Sequence, residues 1–309
     1  SSSPDDPPTP MMIARLKARI MLPAAWSIGD PASSPLPVGL LSVAAIQLPT
    51  RPIIVCGMAR SGTSLTGELI NSSEDIVLFP EMSVHSTSSQ IDLLKEVRAT
   101  LKGQPWREFT PEEIEGRVVE LLRRIWGSAR DPELFDDEGQ PRFGLKQPHA
   151  EEWSEQFVET LGAYRPQYVY TIRDPDGIYH STLRMSAWGD FDPDEFTDRF
   201  LASIETADGL VAAGDMFVFD LSRASEDPAY RKQKGNDLFE YLDLPMNDFT
   251  HQVLDRWPAM NRSGGENKGP IPDAEIQERL QAFQNGRKFQ NLLAAAERLS
   301  KLEPASLGS

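Results

Sequence analysis

Residues 52–70 read PIIVCGMARSGTSLTGELI. Pro52–Cys56 is a continuous apolar run bounded by Pro and Gly, as in a strand buried on both faces of a parallel sheet. The loop Gly57–Gly62 follows, and then a helical stretch from about Thr63 to Asn71. A strand that passes through a glycine loop directly into a helix collects backbone amides at the helix N-terminus, where they form an anion site. The rest of the chain alternates in the same way. Strands are expected at Ile76–Phe79, Arg142–Lys146, Gln167–Ile172 and Met216–Leu221. Helices are expected at Ser88–Leu101, Pro111–Trp126, Glu151–Leu161, Pro175 to about Trp188, Asp194–Ala213 and Asp227–Leu242, with one or two over Ala274–Leu302. Thr110 and Glu113 have the spacing of a capping box. This alternation implies an α/β protein of three layers, α/β/α, with a central parallel sheet, helical insertions and a helical C-terminus.

Order is expected to begin at Arg51. Residues 1–50 read as an N-terminal tail and arm: a Pro/Ser/Asp-rich start, a short amphipathic stretch (Met11–Trp26) and the linker Asp30–Pro37. Met11–Trp26 has a basic start and an apolar end but no convincing small-residue cleavage site after it. Residues 51–309 then form a single domain. The longest apolar run, Leu36–Leu48, is too short to span a bilayer, so no transmembrane helix is expected. A cytoplasmic location is also expected. Of the 309 residues, 31 are Lys or Arg and 47 are Asp or Glu, for a net charge of −16. That charge argues against a nucleic-acid-binding surface, yet it leaves room for a small basic pocket. The single cysteine, Cys56, cannot form an internal disulfide, and the four histidines lack metal-binding spacing, so no metal is expected.

The glycine loop, Gly57-x4-Gly62-Thr63-Ser64, has Walker A spacing, but Thr63 stands where the Walker lysine belongs. Arg60 supplies the cation instead. GMARSGTS resembles the 5′-phosphosulfate loop of sulfotransferases that use 3′-phosphoadenosine 5′-phosphosulfate (PAPS), in the Arg-Ser-Gly-Thr form of the bacterial and Golgi/tyrosylprotein types. The resemblance implies a P-loop-like fold in which Gly57, Ser61, Gly62, Thr63 and Ser64 hold the 5′-phosphate and Arg60 meets the sulfonate. A second segment, residues 168–185, YVYTIRDPDGIYHSTLRM, is similar to the family's 3′-phosphate motif: Arg-Asp-Pro after a strand, then Ser181 eight residues after Arg173. The chemistry also stands alone, because Arg173 ends a strand and offers a planar fork to phosphate oxygens, while Asp174 is placed to cap the following helix. A third, FGLKQPHA, resembles the Lys-x-Pro element that puts Lys146 beside the transferring group. The resemblance covers roughly residues 51–260. It departs at MFVFDL, where Phe219 and Asp220 replace the family's Tyr and Glu.

The implied reaction moves a sulfuryl group from PAPS to an acceptor hydroxyl, leaving 3′,5′-ADP, without a metal. Arg60 and Lys146 would stabilise charge. The base is open among Glu81, His149 and His85. Trp153, Trp188 and Trp257 are candidates to stack on adenine, and Arg262 and Ser263 to close over the 3′-phosphate. The acceptor is expected to be a small molecule, a lipid or a carbohydrate, with Leu36–Leu48 and Met185–Phe196 able to line an apolar pocket. Two other readings are a catalytically silent nucleotide-binding module and a P-loop kinase.

Overall fold

A computed structural model describes residues 51–81, 84–103, 108–128, 142–185, 192–260 and 271–303. These all fall in the compact unit Pro49–Ser309. The expected arm, Trp188, Arg262 and Ser263 lie outside the described residues.

The five strands are β1 (Ile53–Cys56), β2 (Ile76–Phe79), β3 (Arg142–Lys146), β4 (Gln167–Ile172) and β5 (Met216–Asp220). They form one parallel sheet in the order β2-β3-β1-β4-β5. β1 is therefore central, with Ile54 opposite Leu145 on one side and Tyr168 on the other. Its four residues are fully buried, which is why the run is apolar throughout rather than alternating.

Helix α1 (Thr63–Ile70) follows β1, and α2 (Val84–Lys102) and α3 (Pro111–Ser128) lie between β2 and β3. Thr110 and Glu113 form the expected capping box at α3: each backbone N–H donates to the other's side chain, at 3.0 and 3.2 Å. A 3-10 turn at Ala150–Trp153 leads into α4 (Ser154–Leu161), and α5 (Pro175–Leu183) and α6 (Pro193–Ala212) stand between β4 and β5. The chain continues through α7 (Leu221–Glu226), α8 (Pro228–Tyr241), α9 (Asp248–Met260), α10 (Asp273–Asn285) and α11 (Phe289–Ser300). On one face of the sheet, Ile53, Val55, Val169 and Phe219 pack with Leu65 and Leu69 of α1, Leu238 of α8 and Trp257 of α9. On the other, Tyr170 of β4 reaches Ser203 of α6. An aromatic cluster, Tyr179, Phe196, Phe283 and Phe289, ties α5, α6, α10 and α11 together. Among the described residues no helix is long and apolar enough to cross a membrane.

The structure corrects four sequence expectations. β5 stops at Asp220, whose carboxylate accepts the Arg223 N–H at 3.0 Å and so starts α7 at Leu221. α5 ends at Leu183, short of Trp188. Helix α9, which carries Pro258 in its last turn, was not among the expected helices. Trp257 is fully buried against Phe219, with ring centroids 5.6 Å apart, and is a core residue rather than an adenine platform.

Candidate active site

All five strands end at one cleft of about 430 Å³. Arg60 comes from the loop after β1, Glu81 from the segment after β2, and Lys146 from the end of β3. Arg173 follows β4 and Leu221 follows β5. The chain leaves β1 toward β2 and later returns past it to β4, so the cleft lies at the switch point of an open α/β sheet, where such folds bind ligands.

The loop can make its turn because Gly57 and Gly62 hold φ values of 121° and 102°. A Cβ at Gly57 would stand 2.5 Å from the Thr171 carbonyl oxygen, and one at Gly62 would collide with Leu221. Arg60 is also left-handed, at φ 73°. That backbone places its side chain across the cleft, where Nε donates to Ser181 Oγ at 3.0 Å. Gly62 offers no side-chain cap to α1, so the first amides of the helix, at Thr63 and Ser64, have no acceptor within it. Thr63 and Ser64 both line the cleft. Ser61 is fully buried and its hydroxyl has no hydrogen-bond partner.

Across the cleft, Asp174 caps α5, accepting the Gly177 N–H at 2.6 Å, as its position before Pro175 implied. It also exchanges hydrogen bonds with Ser222 of α7, both at 3.0 Å. Arg173 Nε donates to Asp174 Oδ1 at 3.1 Å. Gly177 makes this seat possible, because a Cβ there would come 2.6 Å from Arg173 Nη2. On the same helix, burial, followed by the charges of Arg184 and Arg173, holds the His180 imidazole below its ordinary 6.5. Between the two motifs, Lys146 Nζ donates to Glu81 Oε2 at 2.6 Å. Lys146 is mostly buried (14 % exposed) and Glu81 is open (45 %), so the ammonium is fixed and the carboxylate faces solvent.

The structure thus brings Arg60, Gly62, Thr63, Ser64, Glu81, Lys146, Arg173 and Ser181 to one cleft. Gly57, Ser61 and His149 do not line it. His149 is buried behind the loop, with Nε2 accepting the Ala59 N–H at 3.4 Å. His85 falls on α2, with its side chain outside the described residues. Phe219 is buried in the core, and burial raises the Asp220 carboxyl above its ordinary range. Sequence reasoning missed Leu221, Gly177 and Ser222. The end of β5 was the available signal for Leu221 and Ser222; a lone helical Gly gave none. Among the described residues no group of three or more His, Cys, Asp or Glu is arranged to hold a metal ion.

No protein-family model and no curated protein matches the chain. Solved structures similar to it include the sulfotransferase domain of the olefin synthase of Synechococcus PCC 7002, at 13 % identity and a TM-score of 0.46, covering 83 % of this chain and 96 % of that one. Mouse sulfotransferase SULT7A1 complexed with PAP is 11 % identical with a TM-score of 0.41, covering 81 % and 89 %. Sulfotransferase STF9 from Mycobacterium avium is 13 % identical with a TM-score of 0.39, covering 76 % of each. At these identities and TM-scores the likeness assigns the chain no activity.

Proposed function

We propose that the chain is a PAPS-dependent sulfotransferase acting on a hydroxyl of a small molecule, lipid or carbohydrate. The observation that carries this reading is the 3.0 Å hydrogen bond between Arg60 and Ser181. It joins the two motifs that resemble the 5′- and 3′-phosphate elements, 121 positions apart in sequence, in a single cleft. A donor with two separated anionic groups needs two cationic stations, and the basic residues that line the cleft support such a pair. Arg60, Lys146 and the α1 N-terminus form one. Arg173 and Ser181 form the other.

PAPS supplies a sulfuryl group on a phosphate leaving oxygen. In this reading the chain's residues do the rest. Arg60 and Lys146 hold the charge that collects on the sulfonate and bridging oxygens. Glu81, oriented by Lys146, takes the proton of the acceptor hydroxyl as the new S–O bond forms and the old one breaks. Leu65, Pro148, Met185 and Leu221 give the cleft an apolar wall that favours an acceptor with a hydrocarbon body.

Calorimetry with 3′,5′-ADP, free of metal, tests the donor assignment. Binding is expected, and Arg173→Ala is expected to weaken it at least about tenfold by removing the phosphate fork. Binding of Mg-ATP in place of 3′,5′-ADP, or of neither, overturns the assignment.

A further inference from the structure

Behind the loop lies a second set of polar groups that the donor site does not use. Gln147 N donates to Val55 O at 2.8 Å and His149 N to Gly57 O at 2.9 Å. In the opposite direction, the Ala59 N–H donates to His149 Nε2 at 3.4 Å and the Gly57 N–H to Glu151 Oε2 at 3.3 Å. Glu151 is fully buried, and its other oxygen accepts from Ser203 Oγ at 2.5 Å. His149 is 3 % exposed and sits at φ 62°, a left-handed backbone that a non-glycine residue keeps only when its surroundings enforce it. The other ring nitrogen, Nδ1, lies 3.4 Å from Glu152 Oε1. Arg199 of α6 in turn reaches Glu152 at 3.6 Å.

The geometry points to a positioning role for His149 and Glu151. They hold the Ala59 and Gly57 amides from below, and so fix the turn that sends Arg60 and the α1 amides into the cleft. On this view His149 acts through the loop and touches neither donor nor acceptor. The role rests on the reading of the cleft as a donor site, while the hydrogen bonds themselves exist without a donor.

Two substitutions separate reach from backbone preference. Asn tolerates a left-handed backbone well, but its short carbonyl cannot reach Ala59; Gln places an acceptor near the position of Nε2. His149→Asn is expected to raise the Kd for 3′,5′-ADP about tenfold, as loss of one buried acceptor should. It is also expected to move the Ala59 amide proton upfield and speed its exchange, read by NMR on the ligand-free protein. His149→Gln is expected to restore both. An Ala59 amide that does not move in His149→Asn, or a Gln variant as impaired as the Asn one, overturns the proposal. If the unaltered protein does not bind 3′,5′-ADP, the donor reading has failed, and the Ala59 amide alone decides the positioning role. Should His149→Asn fail to fold, Glu151→Leu against Glu151→Gln puts the same question to the Gly57 amide, with the same two answers.

Discussion

Glu81 and Lys146 face each other at 2.6 Å, and they differ in how firmly each is held. Lys146 runs its stem past Gly67 of α1, where a Cβ would stand 3.5 Å from Lys146 Cγ, whereas Glu81 has an open side to the solvent. The carboxylate is thus the member of the pair free to meet an acceptor. Glu81→Gln keeps the size and a hydrogen-bonding partner for Lys146 but removes the proton acceptor. It is expected to lower turnover at least about 100-fold while leaving 3′,5′-ADP affinity near normal. Steady-state kinetics beside calorimetry checks this, and near-normal turnover with intact binding removes Glu81 from the mechanism. The residues of the two segments that meet in the cleft stood out in the sequence because each segment is a short local pattern. A glycine loop and an Arg-Asp-Pro turn carry their meaning in consecutive positions. Glu151 was not legible, since its partners Gly57 and Ser203 lie 94 and 52 positions away and a lone Glu gives no sign that it is buried.

Helix α5 shows how an element transmits a local preference to the cleft. Its first turn is fixed by Asp174, and the same carboxylate accepts from Arg173 and Ser222. Asp174→Ala is expected to cost about 1 kcal/mol of stability, as the loss of an N-cap does, and also to weaken 3′,5′-ADP binding by unseating Arg173. Thr110→Ala removes a comparable cap from α3, away from the cleft, and is expected to cost a similar amount with no effect on binding. Urea unfolding and calorimetry on the two variants distinguish these outcomes; equal binding in both contradicts the seat assigned to Arg173. The element boundaries follow the same logic of legibility. β1 and β2 were readable as short apolar runs between breakers, and β3, β4 and β5 as short stretches with an apolar or aromatic centre between polar ends or loops. α7 and α9 were not, because Asp220 as a cap and Pro258 inside a helix both read as breaks until their surroundings are known.

At the scale of the molecule, the buried Glu151 sets part of the pH dependence of stability. Burial raises its carboxyl above the ordinary 4.5. Between 4.5 and the raised value the native state keeps a proton that the unfolded chain has released. Stability therefore falls as pH rises through that window and stays lower above it. Glu151→Gln supplies an acceptor and a donor at the same place without a charge, and it is expected to remove that fall. Urea unfolding of both proteins from about pH 4 to about pH 8 reads the difference; parallel curves contradict it. The sheet order has a consequence of another kind, in the time before the fold exists. β1 lies between β3 and β4, so both of its partners are synthesised after it. Ile53–Cys56 leaves the ribosome with both hydrogen-bonding edges bare, and the first strand to cover one follows roughly 90 residues later, about 5–18 s at about 5–20 residues per second. During that interval the strand that will become the centre of the sheet stands uncovered. Chaperones that guard this protein during synthesis are thus expected to hold its future core rather than its future edges.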